Sequence, residues 1–379
     1  MVPFRVFGGS PRFFRLTACA VSVSERPVGE TVGVPSPPEH DSERSGPLIT
    51  ILIDNYNYAA YLGQAVDSAL AQTHPHIEVL VVDDGSTDGS RELLEGYGDR
   101  IRTVLQANAG QAAAMNRGLA EATGEILLTL DSDDTLEPDT AARVAAVFGG
   151  DPDCVRIQYR LAVVDPDGRP TGATMPPGRV PLQEGDLRRQ LMRVRGFRTA
   201  PTSGNAWSVS ALRQLPKVPE DVYRQHVDRW WSDLIALLGT SRLLSGSAGT
   251  YRSHPVSHST VERREINYFA DRITRRHVLH QAAAQVAKDA GLGDLPERPE
   301  QMQDAALCSW RLAAYKLGQP LDKQQLPALL LHGIRDNLRQ PDKTWRTRIA
   351  HTGWFVALSA TPRGERAGRM IARRYARED

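Results

Sequence analysis

Between Leu48 and Leu130 the chain repeats one pattern: a short, mainly apolar run, a polar loop, then apolar residues at helical spacing. The runs are Leu48–Ile53, Ile77–Val82, Ile101–Leu105 and residues 125–130. Runs without polar alternation suit strands buried on both faces, and intervening helices of about a dozen residues are the crossovers that parallel strands need. Tyr61, Leu62, Ala65, Val66, Ala69 and Leu70 mark the first helix. Gly85 to Asp88 supply a turn and N-cap for a second, and Gly110 to Ala122 form a third, stopped by Gly124. The spacing predicts an α/β fold with a mainly parallel sheet flanked by helices.

Two acidic groups punctuate this repeat. Asp83-Asp84-Gly85-Ser86-Thr87-Asp88 directly follows the second run, and Asp131-Ser132-Asp133-Asp134 the fourth. Ligands of open α/β sheets bind beyond the carboxyl ends of the strands. Carboxylates placed there suit a divalent cation, a ribose or a base edge better than any core. Asp131 and Asp133, one residue apart in a turn, can face the same ion, and Mg²⁺ or Mn²⁺ needs only one or two such ligands. Together the two groups read as a nucleotide-diphosphate site with a metal.

Composition sets outer limits. The 379 residues allow two or three domains, and a formal net charge of +1 gives no argument for a nucleic-acid partner, so none is expected. Cys19, Cys154 and Cys308 lack metal-ligand spacing and fit a reducing compartment. No run reaches membrane-spanning length, and Arg12 and Arg15 interrupt the apolar N-terminus, so a cytoplasmic location is expected. Residues 1–46, with Pro27, Pro35, Pro37 and Pro38 among charges, read as a flexible leader. The α/β domain is expected over 47–260 and a helical C-terminal extension over 261–379. Within the former, 154–164 reads as a strand followed by a turn at Asp165 to Gly168, and Trp230 to Leu238 as a helix. A last strand ends at Tyr251-Arg252, while 169–205 resists assignment. Lys343 to Arg377 is strongly basic, with an apolar patch at Trp354, Phe355 and Val356. It reads either as a solvated helix packed on the domain or as a peripheral contact with the inner face of an anionic membrane.

Residues 48–148 resemble the family 2 glycosyltransferases, which share the GT-A (nucleotide-diphospho-sugar transferase) fold. The resemblance is carried by Ile53-Asp54-Asn55-Tyr56-Asn57, Val82-Asp83-Asp84-Gly85-Ser86-Thr87-Asp88, Asn108-Ala109-Gly110-Gln111 to Asn116-Arg117-Gly118, and Leu130-Asp131-Ser132-Asp133-Asp134. It weakens after about residue 150 and returns at Val227-Asp228 and Tyr251-Arg252-Ser253-His254. It implies an inverting, metal-dependent transfer from a nucleotide-diphospho-sugar with a uridine base to a sugar, lipid-linked or other hydroxyl acceptor.

By that resemblance Asp133 is the direct ligand of Mg²⁺ or Mn²⁺, and Asp131 a ribose or second metal contact. Asp84 is expected to accept from the base with Asp83 supporting it, and Gly110, Gln111 and Asn116 to line the nucleotide. The first-turn N–H groups after Gly110 would face the diphosphate. Asp54 stands where the family commonly has proline; it either alters the base pocket or caps its loop. Arg252 and His254 resemble the loop that closes over the diphosphate, with Arg252 on phosphate, His254 completing the metal shell, and His258 a lesser candidate. Asp228 takes the place of the catalytic base, with Asp233 as alternative, although Val227 replaces an acid often found before it. Trp207 either stacks on an acceptor sugar or packs in the core.

Other classes fit less well. A nucleotidyltransferase needs a basic glycine-rich loop where this chain has Asp54-Asn55-Tyr56-Asn57-Tyr58, and no Gly-x-Gly-x-x-Gly follows a strand for a dinucleotide enzyme. A catalytically inactive nucleotide-sugar-binding protein stays open because of Val227.

Overall fold

The computed structural model describes residues 46–192, 199–224, 227–254, 266–294, 305–318, 326–339 and 344–375; the expected leader, apart from Gly46, and His258 lie outside them. The four apolar runs become parallel strands β1 (Ile49–Asn55), β2 (Ile77–Asp83), β3 (Arg102–Leu105) and β4 (Ile126–Asp131). Helices α1 (Ala59–Leu70), α2 (Ser90–Glu95) and α3 (Gln111–Glu121) connect them. β1 has no solvent face: apart from Asp54 it is buried along its length, and the polar Thr50 and Asn55 are hydrogen-bonded to Glu78 and Asp83 of β2. Ile49, Ile51 and Ile53 enter a core with α1, and Leu52 enters a second core with Ala112, Ala114 and Met115 of α3.

Beyond β4 the sheet becomes mixed. The chain continues through β5 (Thr135–Leu136), α4 (Thr140–Gly150), β6 (Cys154–Val164), β7 (Pro170–Met175) and α5 (Arg188–Met192). Then come β8 (Asn205–Ser208), α6 (Val209–Leu212), α7 (Val227–Ile235) and β9 (Thr240–Arg252). The strand order is β3-β2-β1-β4-β8-β6-β9-β5, with β7 on β6. β8 runs antiparallel to both β4 and β6, β6 and β9 are parallel, and β5 and β7 are antiparallel to their neighbours. From β1 the chain steps outward to β2 and β3, then returns to β4 on the other side. That reversal opens a crevice beyond the carboxyl ends of β1 and β4, the usual ligand position in such sheets.

The helices after residue 266 are α8 (Ile266–Asp289), α9 (Ala305–Lys316), α10 (Leu326–Arg339), α11 (Trp345–Ala360) and α12 (Glu365–Tyr375). Leu279, Ala283, Val286 and Ala287 of α8 join the sheet core beside Trp230 and Trp231 of α7. Phe269, at the other end of α8, belongs to a separate helical core with Leu312, Leu329, Phe355 and Ile371. The apolar patch expected at Trp354 to Val356 is therefore split: Phe355 is buried, Trp354 packs against the same core, and Val356 is exposed. No described helix is long and apolar enough to cross a membrane.

Candidate active site

Strand register builds the centre of the site. Asp54 on β1 lies directly opposite Asp131 on β4, and Asn55 opposite Asp83 on β2. Burial drives the Asp54 carboxyl up to about 7; the nearby charge of Asp133 adds to this, and hydrogen bonds from Gln111 and Asp131 resist it. One Asp54 oxygen, Oδ1, is buried without a partner. Asp131 is also pushed well above the ordinary carboxylate range, by burial and then by the charges of Asp54, Asp134, Asp133 and Asp228. Its Oδ1 accepts from Gln111 Nε2 at 3.3 Å. Asp54 thus belongs with the Asp131 group and does not cap its loop.

The turn after β4 is clamped from three directions. Ser203 Oγ accepts from the Asp131 N–H at 3.0 Å and donates to Asp134 Oδ2 at 2.6 Å. The Arg252 N–H donates to Asp134 Oδ1 at 2.8 Å, and its Nε donates to the Asp133 carbonyl at 3.0 Å. Asp134 is buried and structural, its carboxyl raised by burial and by Asp133. Asp133 points the other way: its Oδ2 lies 2.9 Å from His254 Nε2. His254 is itself buried, stacked on Tyr61 at 5.3 Å and edge-on to Tyr58 at 5.7 Å. Burial and then the charges of Asp133, Asp131 and Asp54 drive the Tyr58 hydroxyl upward.

Three expected nucleotide contacts are corrected. The Arg252 guanidinium also donates to Gln64 Oε1 at 2.7 Å and the Pro166 carbonyl at 3.0 Å, and lies over the Tyr61 ring. With Nε on Asp133, it braces the turn and does not present a free fork to phosphate. Gly110 offers no N–H to a diphosphate. The N–H groups of Ala109 and Gly110 donate to Asp84 Oδ1 and Oδ2 at 2.9 and 2.7 Å, and that of Gln111 to the Arg224 carbonyl at 2.9 Å. Asn116 clamps α3 to the 218–220 segment through the Val218 N–H and carbonyl and Glu220 Oε1.

Asp83 and Asp84 organise the neighbouring loops. Asp83 is buried and accepts from Asn55 Nδ2, the Ser86 N–H and Arg91 Nε at 2.8, 3.0 and 3.3 Å. Burial would raise its carboxyl, but these donors outweigh it and hold it low. Gln106 Nε2 adds a third bond to Asp84, at 2.7 Å. Gly85 permits the two loops to close: its φ is +84°, and a Cβ there would meet the Asn108 nitrogen at 2.7 Å.

Asp228 occupies the first turn of α7, half-buried, where its charge reaches Asp131. Asp233, the alternative base, is instead a buried ion-pair partner, with Oδ2 3.0 Å from Arg229 Nε and 3.7 Å from Arg276 Nη1. Trp207 is a core residue and not an acceptor platform. It is fully buried, donates to Thr129 Oγ1 at 3.3 Å, meets Trp231 edge-on at 5.8 Å and lies under the Arg156 guanidinium. Trp207→Ala is expected to lower unfolding free energy by about 3–5 kcal/mol in a denaturant titration. Unchanged stability with lost activity would restore the platform reading.

Sequence reasoning missed Tyr58, Tyr61, Gln64 and Ser203. Only the aromatic pair left a trace, as residues flanking the first loop. Among the described residues, no three or more His, Cys, Asp or Glu side chains form a group able to hold a metal. What the site offers a hard cation is one or two carboxylates, of which Asp133 is the outward one, leaving the rest of the shell to water and phosphate.

Comparison with known proteins bears on this geometry. Residues 50–207 match the family model described as glycosyl transferase family 2; Asp228, Arg252 and His254 lie beyond that stretch. An uncharacterized glycosyltransferase of Nostoc sp. is 36% identical over 220 residues, covering 54% of this chain and 65% of the relative. The chondroitin synthase of Pasteurella multocida is 38% identical over 125 residues, 32% of this chain and 13% of that protein. The chain thus spans less than two thirds of the length of the curated relatives it matches. Among solved structures, S. aureus TarS 1-349 in complex with UDP superposes with a TM-score of 0.52 at 18% identity, covering 82% of this chain and 91% of that one. At that identity the likeness speaks for the GT-A fold.

Proposed function

We propose that this chain, whose residues 50–207 match the model of glycosyl transferase family 2, is a member of that family and transfers a sugar from a nucleotide-diphospho-sugar to an acceptor hydroxyl with inversion. The observation that carries the reading is the pairing of Asp54 with Asp131 at the strand reversal, with Asp133 and His254 facing each other beside them. Asp54 and Asp131 are driven above their ordinary range by burial first and by neighbouring carboxylates second, and a cation there would offset both. Asp133 would hold Mg²⁺ or Mn²⁺ with Asp131 as the second carboxylate, and His254 would steady Asp133 through their 2.9 Å contact. When bound, the ion supplies positive charge against the leaving diphosphate.

The remaining chemistry belongs to the chain. Asp228 takes the proton from the acceptor hydroxyl as that oxygen bonds to the anomeric carbon. The bond from that carbon to the diphosphate oxygen breaks in the same displacement, which inverts the centre. Gln111 and the clamped turn hold Asp131 in place, and Tyr58, Tyr61 and His254 wall the site. A uridine base is supported by the resemblance and by the UDP complex of TarS.

The test is release of free nucleoside diphosphate from UDP-, GDP- and dTDP-sugars with Mn²⁺ or Mg²⁺, against EDTA. Metal-dependent release from one donor is expected. Donor binding without release under any acceptor tried would favour a binding protein, the reading that Val227 keeps open. No binding of any donor would overturn the site.

A further inference from the structure

Among the described residues, seven large apolar side chains stand exposed, and five of them lie on two neighbouring helices. Leu331 (65%) and Leu338 (47%) are on α10; Trp345 (66%), Ile349 (60%) and Val356 (50%) are on α11. Scattered single apolar residues are normal on a surface, but a row is not. Positions 345, 349 and 356 share one helical face, and Ala350, Gly353, Ala357 and Ala360 are exposed with them. Arg346 is the one charged residue at the exposed positions of α11, and its guanidinium lies 5.4 Å from the Trp345 ring centroid.

The opposite face carries Phe355 and Leu358 into the helical core. α11 is therefore apolar on two sides while the bundle covers one. Leu338 sits beside the exposed face, since its carbonyl accepts from Arg348 Nη1 at 3.1 Å. Charge is concentrated in the same stretch: Lys343 to Arg377 holds nine lysines and arginines and one acid, in a chain whose net charge is +1.

We propose that the exposed apolar face of α10 and α11, with the cationic segment that runs through α11 and beyond it, seats the protein on an anionic lipid bilayer. A second copy of the chain would bring the same cationic segment against this one, so like charges oppose self-association there. Anionic headgroups complement it, and a helix lying in the interface buries its apolar face among the upper acyl chains. Tryptophan beside arginine suits that boundary, with the ring in the apolar layer and the cation among headgroups. This inference does not depend on sugar transfer.

The test sediments the full chain with vesicles of phosphatidylcholine alone or mixed equally with phosphatidylglycerol, without donor, metal or acceptor. Co-sedimentation with the anionic vesicles is expected, weakening in high salt. Combined Trp345→Ser, Ile349→Ser and Val356→Ser should weaken it on the order of tenfold or more. Arg366→Gln and Arg369→Gln should each weaken it roughly fivefold. All five side chains are exposed, so melting curves should match wild type and exclude misfolding. Wild-type protein left in the supernatant, equal binding to phosphatidylcholine alone, or full binding by the triple variant would each overturn the proposal. A wild-type dimer in sedimentation velocity that the triple variant converts to monomer would give this face to a second copy and overturn it too.

Discussion

Asp228→Asn should lower turnover by about 10²- to 10⁴-fold while leaving donor affinity unchanged. The amide has the shape of the carboxylate but cannot take a proton at neutral pH. Asp228 is held in place by its helix, since Val227, Trp230 and Trp231 of α7 are buried in the sheet core. Its charge is among those that raise the Asp131 carboxyl. A first-turn carboxylate also interacts favourably with the helix dipole, so the variant loses about 0.3–1 kcal/mol of stability, too little to unfold it. Asp233→Asn serves as the contrast. That change removes the buried carboxylate that Arg229 and Arg276 both face, and losing a hydrogen bond to a charged group typically costs about 1.5–3 kcal/mol. The expected pair of results is a stable, inactive Asp228 variant and a destabilised Asp233 variant. Single-turnover kinetics with saturating donor, beside calorimetric donor binding and melting curves, measures both. Wild-type turnover in Asp228→Asn would move the base elsewhere.

These roles were unequally legible in the sequence. The apolar runs gave β1, β2 and β4 to within two residues because strands buried on both faces leave a nearly unbroken signal. Asp131 and Asp133 stood out in the sequence because carboxylates at a strand end have few other uses, and the structure sets them opposite Asp54 and against His254. The partnership of Asp54 with Asp131 was not, since it arises from the register of β1 against β4, which local pattern does not encode. Hydrogen-bond allegiance was equally hidden. Gly110, Asn116 and Arg252 look like ligand contacts in sequence, yet each satisfies a protein partner brought near by another element: Asp84, the 218–220 segment, and the Asp133 turn. β8 escaped notice because Asn205-Ala206-Trp207-Ser208 is four residues long and polar at both ends, held as a strand by β4 and β6 on either side. On α11 the sequence showed an apolar patch but not which apolar side the helical core would cover.

Asp133→Asn should abolish metal-dependent release of nucleoside diphosphate, by on the order of 10²–10³-fold or more, and yet make the metal-free protein more stable at neutral pH. Asparagine keeps an oxygen to accept from His254 but removes a charge that raises Asp54, Asp131 and Asp134. The direction with pH follows from Asp54, whose carboxyl rises from 3.8 to about 7 on folding. A raised acid binds its proton more tightly in the folded state than in the unfolded chain. Its contribution is therefore fully present below about pH 4, declines as pH rises toward 7, and is flat above. Metal-free wild type should lose stability across that window. Asp133→Asn should lose less, so the two melting temperatures meet near pH 4 and the variant leads at pH 8. Adding Mn²⁺ reverses the ranking at pH 8. Wild type gains about 2.7 kcal/mol when the ion stands a hundredfold above its Kd, a rise of several degrees, and the variant gains nothing. Melting curves at pH 4 and pH 8, each in EDTA and in Mn²⁺, give the four values. A variant less stable than wild type in EDTA at pH 8 would show that Asp133 steadies the metal-free fold, and the crowding of carboxylates would lose its meaning as a cation site.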